Sequence, residues 1–162
     1  RILEGEDSLI ASWLRFGGAQ CLESYGGDPV RLAQLPGPEG VAEVQRLVPD
    51  EHVSFLKSFA DTFRFGDYLF VHAGIRPGVD LSLQSQVDLR WIRSPFLESD
   101  CDHGAVVVHG HSIKPIVEER ANRIGIDTGA YRTGVLTALA LEGECRWVLD
   151  TSSLAGTETA AH

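Results

Sequence analysis

The chain has 162 residues, 43% hydrophobic and 23% charged, which is enough to bury one core of ordinary size and shows no sign of a fibrous or disordered composition. Fourteen Lys and Arg against twenty-three Asp and Glu give a net charge of −9, which argues against nucleic acid or a membrane surface as a partner held by bulk charge. Cys21, Cys101 and Cys145 are an odd number without C-x-x-C spacing, so they fit neither a disulfide framework nor a zinc knuckle, and a reducing cytoplasm is the expected location. Methionine is absent and the sequence opens on Arg1-Ile2-Leu3-Glu4, a beginning that reads as cut rather than natural. No apolar run reaches the roughly 20 residues that span a bilayer, and the amino terminus lacks a signal-peptide pattern.

Along the chain, residues 8–16 place Leu9, Ile10, Trp13 and Leu14 at helical spacing, and Gly17-Gly18 is positioned to end that helix in a left-handed cap. Residues 28–40 carry Pro29, Pro36 and Pro38 and predict an irregular connection with a short helical turn near 30–34. A second helix is expected over 41–48, and Pro49-Asp50 starts a third that carries Val53, Phe55, Leu56 and Phe59. At Thr62 the pattern changes to alternation: Thr-Phe-Arg-Phe and Tyr-Leu-Phe-Val-His flank Gly66-Asp67, which predicts a β-hairpin ending at His72. A Gly/Pro loop over 74–78 and a short helix near 82–87 precede a buried strand over 105–109. The remainder reads as a meander of strands over 116–120, 123–127, 135–141 and 145–150, with a turn at 142–144 and a frayed tail over 152–162. The expectation is one α/β (α+β) unit over 1–151, a helical first third followed by mixed or antiparallel strands.

Two segments share one design, an apolar strand that runs into histidine and stops at a small residue: Leu69-Phe-Val-His72-Ala-Gly and Val106-Val-Val-His109-Gly-His111. Strand ends hold side chains rigidly beside an open crevice, so imidazoles placed there are candidate metal ligands. A satisfied, half-buried strand-end histidine is the other reading of each. Two histidines alone fall short of a hydrolytic metal site, which takes three or more protein ligands and commonly carboxylates.

Phe70-Val-His72-Ala-Gly-Ile-Arg-Pro-Gly78, Leu89-Arg-Trp-Ile-Arg93, Val107-Val-His109-Gly-His111-Ser and Arg123-Ile-Gly-Ile-Asp127-Thr-Gly-Ala-Tyr131 occur in an order that resembles the bacterial serine/threonine phosphoprotein phosphatases, within the calcineurin-like metallophosphoesterases. The resemblance spans about 8–149. It implies part of an αββα sandwich, two divalent metal ions (Mn²⁺, with Fe or Zn²⁺ also suited), His72 and His111 as ligands of one ion, and Arg93 as a phosphate clamp. His109, Asp127 and Tyr131 would line the site or support its ligands, while Arg90, His52 and His103 are expected as ordinary surface or loop residues.

The family's G-D-x-H-G, G-D-x-x-D-R-G and G-N-H-E motifs do not occur in the sequence. By resemblance the chain corresponds to the carboxyl-terminal part of a phosphomonoesterase acting on a phosphoprotein or a phosphorylated small molecule. A dinucleoside polyphosphate hydrolase and a non-catalytic interaction module are the alternatives. Weak or no metal binding, inactivity of the isolated chain, and either self-association through an uncovered sheet or pairing with an amino-terminal half are the corresponding expectations.

Overall fold

A computed structural model describes residues 1–143 and 145–152, so most of the predicted tail and one residue of the predicted 142–144 turn lie outside the described residues. The chain divides into two compact units, one over Arg1–Phe59 and one beginning at Ala60.

The first unit is helical. Single 3-10 turns at Ile2–Glu4 and Asp7–Leu9 lead into α1 (Ile10–Trp13). The helical run expected over 8–16 ends where predicted, as Phe16 and Gly17 leave helical geometry with Gly17 at φ +95°, and α2 (Ala19–Ser24) starts at once. Gly18 explains the tight turn, because a Cβ there would lie 2.4 Å from the Trp13 ring. α3 (Pro29–Gln34) is capped by Asp28, whose carboxylate accepts from the Val30 and Arg31 amides at 2.8 and 3.1 Å. α4 (Gly37–Leu47) starts four residues earlier than its apolar pattern suggested, since Pro38 has the fixed φ that a first helical turn needs. Its inner face, Val41 and Val44, packs with Ile10, Leu22 and Leu32 to form the core of this unit. α5 (Asp50–Lys57) buries none of its residues, and its exposed Phe55 stacks edge-on against the exposed Phe59, just past its end, at 4.8 Å.

The second unit is built on a five-stranded sheet. β1 (Thr62–Phe65) and β2 (Tyr68–Val71) form the predicted hairpin, with Gly66 at φ +56° in the turn, and the second strand stops one residue short of His72. A long connection follows, with a 3-10 turn at Leu81–Leu83, α6 (Gln86–Trp91) and a second 3-10 turn at Phe96–Glu98. β3 (Val106–His109) then returns parallel to β2. β4 (Glu118–Glu119) and β5 (Arg123–Gly125) pair antiparallel, as predicted, but β5 joins β3 in parallel, so the tail of the chain is not one meander. The order is β1-β2-β3-β5-β4. After α7 (Ala130–Thr133), β6 (Thr137–Glu142) and β7 (Cys145–Asp150) form a separate hairpin.

One face of the large sheet is covered by the connection between β2 and β3: Leu69, Val71 and Val107 pack under Ile75, Leu89 and Phe96. This α+β architecture, helices first and a mixed sheet after, is the class that the sequence implied. Among the described residues no helix is long and apolar enough to cross a membrane.

Candidate active site

β2 and β3 are parallel neighbours, so their carboxyl ends open on the same edge of the sheet. The ends are tied together: the Gly110 amide donates to the His72 carbonyl at 2.9 Å, and the Ala73 amide donates to the Leu89 carbonyl at 2.9 Å, which fixes α6 beside them. Anchoring of α6 comes also from its charges. Arg76 grips Asp88 at 2.6 Å, and Arg90, expected as a solvated arginine, is instead paired with Asp61 at 2.6 Å.

The result places His72 and His111 side by side, with ring centroids 5.1 Å apart and ring planes tilted by 57°, and stands Trp91 edge-on to His111 at 5.6 Å. Arg93, just past the end of α6, donates from Nη2 to the His111 carbonyl at 3.4 Å and is otherwise exposed. His111 Nε2 is buried and has no hydrogen-bond partner among the described residues. Burial pushes the His111 imidazole towards its neutral form, and the Arg93 guanidinium and the neighbouring His72 ring push the same way, against a hydrogen bond to the Trp91 backbone and the charge of Asp127. A neutral nitrogen with a free lone pair is what a metal ligand requires.

The remaining predicted residues divide. Asp127 follows β5 and joins His72, Phe70, Val108 and Leu136 around a cavity of about 350 Å³. Its Oδ1 accepts from the Gly129 amide at 2.9 Å and its carbonyl accepts from the Lys114 amide at 3.0 Å, so turn formation accounts for part of its role. His109 also borders this cavity, while its ring, 3% exposed, stands edge-on to Phe96 at 4.9 Å in the core, and burial pushes its pKa below the usual imidazole value. Tyr131 is 84% exposed and does not line the cavity. His52 receives the Tyr25 hydroxyl contact at 2.9 Å within the helical unit. His103 packs 6.0 Å from Phe96.

Trp91 stands against His111, and Ser112 follows His111 directly in the chain. Trp91 sits in the quoted Leu89-Arg-Trp stretch at the end of α6, so its position two residues before Arg93 was the available signal. Ser112, which closes the quoted His109-Gly-His111-Ser stretch, is buried with an Oγ that has no partner among the described residues.

Two imidazoles with an orphaned nitrogen fit one side of a cation site. They do not complete one: among the described residues no group of three or more His, Cys, Asp or Glu gathers around a common point. The donor set therefore does not fit the two-metal centre that the resemblance implied, and no hydrolytic step through a metal is assigned to these residues alone.

No protein-family model matches the chain, and no curated protein matches it in sequence. Among solved structures it is similar to a crystal structure described as "a putative diadenosine tetraphosphatase", with a TM-score of 0.53 and 18% sequence identity over 83% of this chain and 73% of that one. At this identity the likeness is one of fold.

Proposed function

We propose that the chain carries the imidazole and arginine part of a metal-dependent phosphoesterase site, the remaining ligands coming from polypeptide other than the described residues. The observation that carries this reading is the pair His72 and His111, 5.1 Å apart at adjacent parallel strand ends, with Arg93 on the His111 turn. In this arrangement the two rings would offer imidazole nitrogen donors to one divalent cation, Mn²⁺, Fe or Zn²⁺ by ligand chemistry. A cation there supplies positive charge for phosphate oxygens, and the Arg93 guanidinium adds a planar donor fork matched to the same oxygens. The substrate class is a phosphoric ester. A phosphoprotein follows from the motif resemblance and a dinucleoside polyphosphate from the description of the structural neighbour.

The test has two parts. Zn²⁺ titration of the purified chain, followed by histidine ring NMR, is expected to perturb His72 and His111 together, and His72→Ala or His111→Ala is expected to weaken binding at least about tenfold. Turnover of p-nitrophenyl phosphate, a phosphoserine peptide and diadenosine tetraphosphate is then measured with Mn²⁺, with and without a separately produced segment bearing the three acidic motifs. Activity that needs both parts and is lost in Arg93→Ala supports the reading, and the preferred substrate decides the class. Robust turnover by the chain alone overturns the incomplete-site reading, and metal binding indifferent to both histidines overturns the whole.

A further inference from the structure

His111 is a non-glycine residue with positive φ, +62°. It sits at the centre of a three-residue turn closed by the Ser112 amide donating to the Gly110 carbonyl at 2.7 Å, the tight γ form that is rare and strained. Such a conformation persists only where its surroundings over-determine it. The Gly110 carbonyl that closes the turn accepts a second hydrogen bond, from His109 Nδ1 at 3.1 Å. A carbonyl oxygen has no proton to give, so Nδ1 carries the hydrogen and the tautomer of His109 is fixed.

The His109 ring is itself immobilised. It is 3% exposed, edge-on to Phe96 at 4.9 Å, and so close to β5 that a Cβ on Gly125 would come within 3.3 Å of its Cε1 and Nε2. Its Nε2 has no partner among the described residues, so the one polar bond that the ring makes there is the bond to the turn. The backbone on either side is held too: the His109 carbonyl accepts from the Ile126 amide at 2.9 Å and the Gly110 amide donates to the His72 carbonyl at 2.9 Å.

From this geometry we propose that His109 is a positioning residue: its buried Nδ1–H clamps the Gly110 carbonyl and thereby holds the strained turn that presents His111 to His72. The clamp deepens the phosphoesterase reading, on which its consequence for ligation rests, but the turn itself can be observed without any metal or substrate.

Amide hydrogen exchange and ring NMR on the metal-free chain test it. In His109→Leu, which fills the space without a donor, exchange at Ser112 is expected to accelerate about fivefold or more, with a change in the His111 ring signals. Exchange at Val107 and Ile126, whose ladder bonds do not involve the imidazole, is expected to move far less. In His109→Asn the amide nitrogen takes the place of Nδ1, and the Ser112 protection and the His111 signals are expected to return. Parallel acceleration at all three amides in the leucine variant, or no rescue by asparagine, overturns the clamp in favour of a packing role. If His109→Leu is too unstable to measure, His109→Asn alone decides: it retains the wild-type Ser112-to-Ile126 exchange ratio if the clamp is real and loses it if the role is ring packing. Zn²⁺ added afterwards separates the two ideas, because absence of binding to the wild type would sink the phosphoesterase reading and leave the clamp standing.

Discussion

Phe96 lies between two imidazoles, His103 at 6.0 Å and His109 at 4.9 Å, and this residue-scale arrangement makes the unit sensitive to acid. Burial is the largest influence on both rings and lowers both pKa values from 6.5; for His103 the charge of Asp102 opposes it, and for His109 the bond to the Gly110 carbonyl does. In the unfolded chain both histidines recover the ordinary value, so below about pH 6.5 the unfolded state binds more protons than the folded one. Stability is then full above that pH and declines as the pH falls through it, before the carboxylates titrate near about 4. Urea midpoints measured from pH 7.5 down to 5.5 are expected to fall, and to fall less in His103→Gln; a flat wild-type profile across this window would contradict the argument. At the same scale, the histidines of the candidate site were legible because apolar strands that run into histidine and stop at a small residue are visible in one dimension. Arg123 was not. Its side chain is buried, donates to the carbonyls of Leu97 and Ser99, and lies 5.8 Å from the Phe96 ring. A charged residue in a strand pattern reads as an outward position, and it takes the carbonyls of a distant loop folded back over the sheet, together with Glu118 at 3.7 Å, to supply the partners that let a guanidinium turn inward.

Elements with their own punctuation were the readable ones. The β1–β2 hairpin was visible in full because Gly66-Asp67 sits between two alternating runs and sets the register locally. The pairing of β3 with β5 was not, because hydrophobic period says that a segment is a strand and nothing about the direction of its neighbour. The chain between them makes a short antiparallel excursion through β4, which from the sequence looks like the continuation of a meander. The connection after β2 has an equally local constraint that the sequence shows only as a glycine. Gly74 adopts φ +152°, and a Cβ there would lie 2.3 Å from the Phe96 ring, a core side chain with no exposed surface. Gly26, at φ +77°, has open space where a Cβ would go. Both alanine substitutions strain the backbone, but only Gly74→Ala also overpacks the core beside His72. The expected loss in chemical denaturation is about 1 kcal/mol for Gly26→Ala and about 3 kcal/mol for Gly74→Ala. Equal losses would show that the Phe96 ring can move aside, and that the connection is held to the sheet less tightly than its packing implies.

At the scale of the whole molecule, net charge and strand edge oppose one another. The charge of −9 favours dispersal. Against it, β1 is an outer strand of the large sheet with all four residues exposed, and Phe63 and Phe65 are 62% and 67% open to solvent. By their register Phe63 and Phe65 share a face with Phe70 and Tyr68, so the unpaired backbone edge is bordered by an aromatic strip. Proteins ordinarily blunt such edges with lysine, proline or a bulge, and Arg64 is the one charge within this strand. The two terms differ in range. Repulsion between like-charged chains acts over a Debye length of about 10 Å at 0.1 M salt and shrinks to about 3 Å at 1 M, whereas strand pairing and ring burial act at contact and survive salt. Self-association measured by sedimentation velocity is therefore expected to rise with protein concentration and to rise further with salt. Phe65→Lys, at an exposed position where little packing is lost, is expected to suppress it while leaving the unfolding free energy from urea denaturation within about 0.5 kcal/mol of the wild type. A chain that stays monomeric at high salt, or a lysine variant that associates as readily as the wild type, would show that β1 is not the adhesive edge.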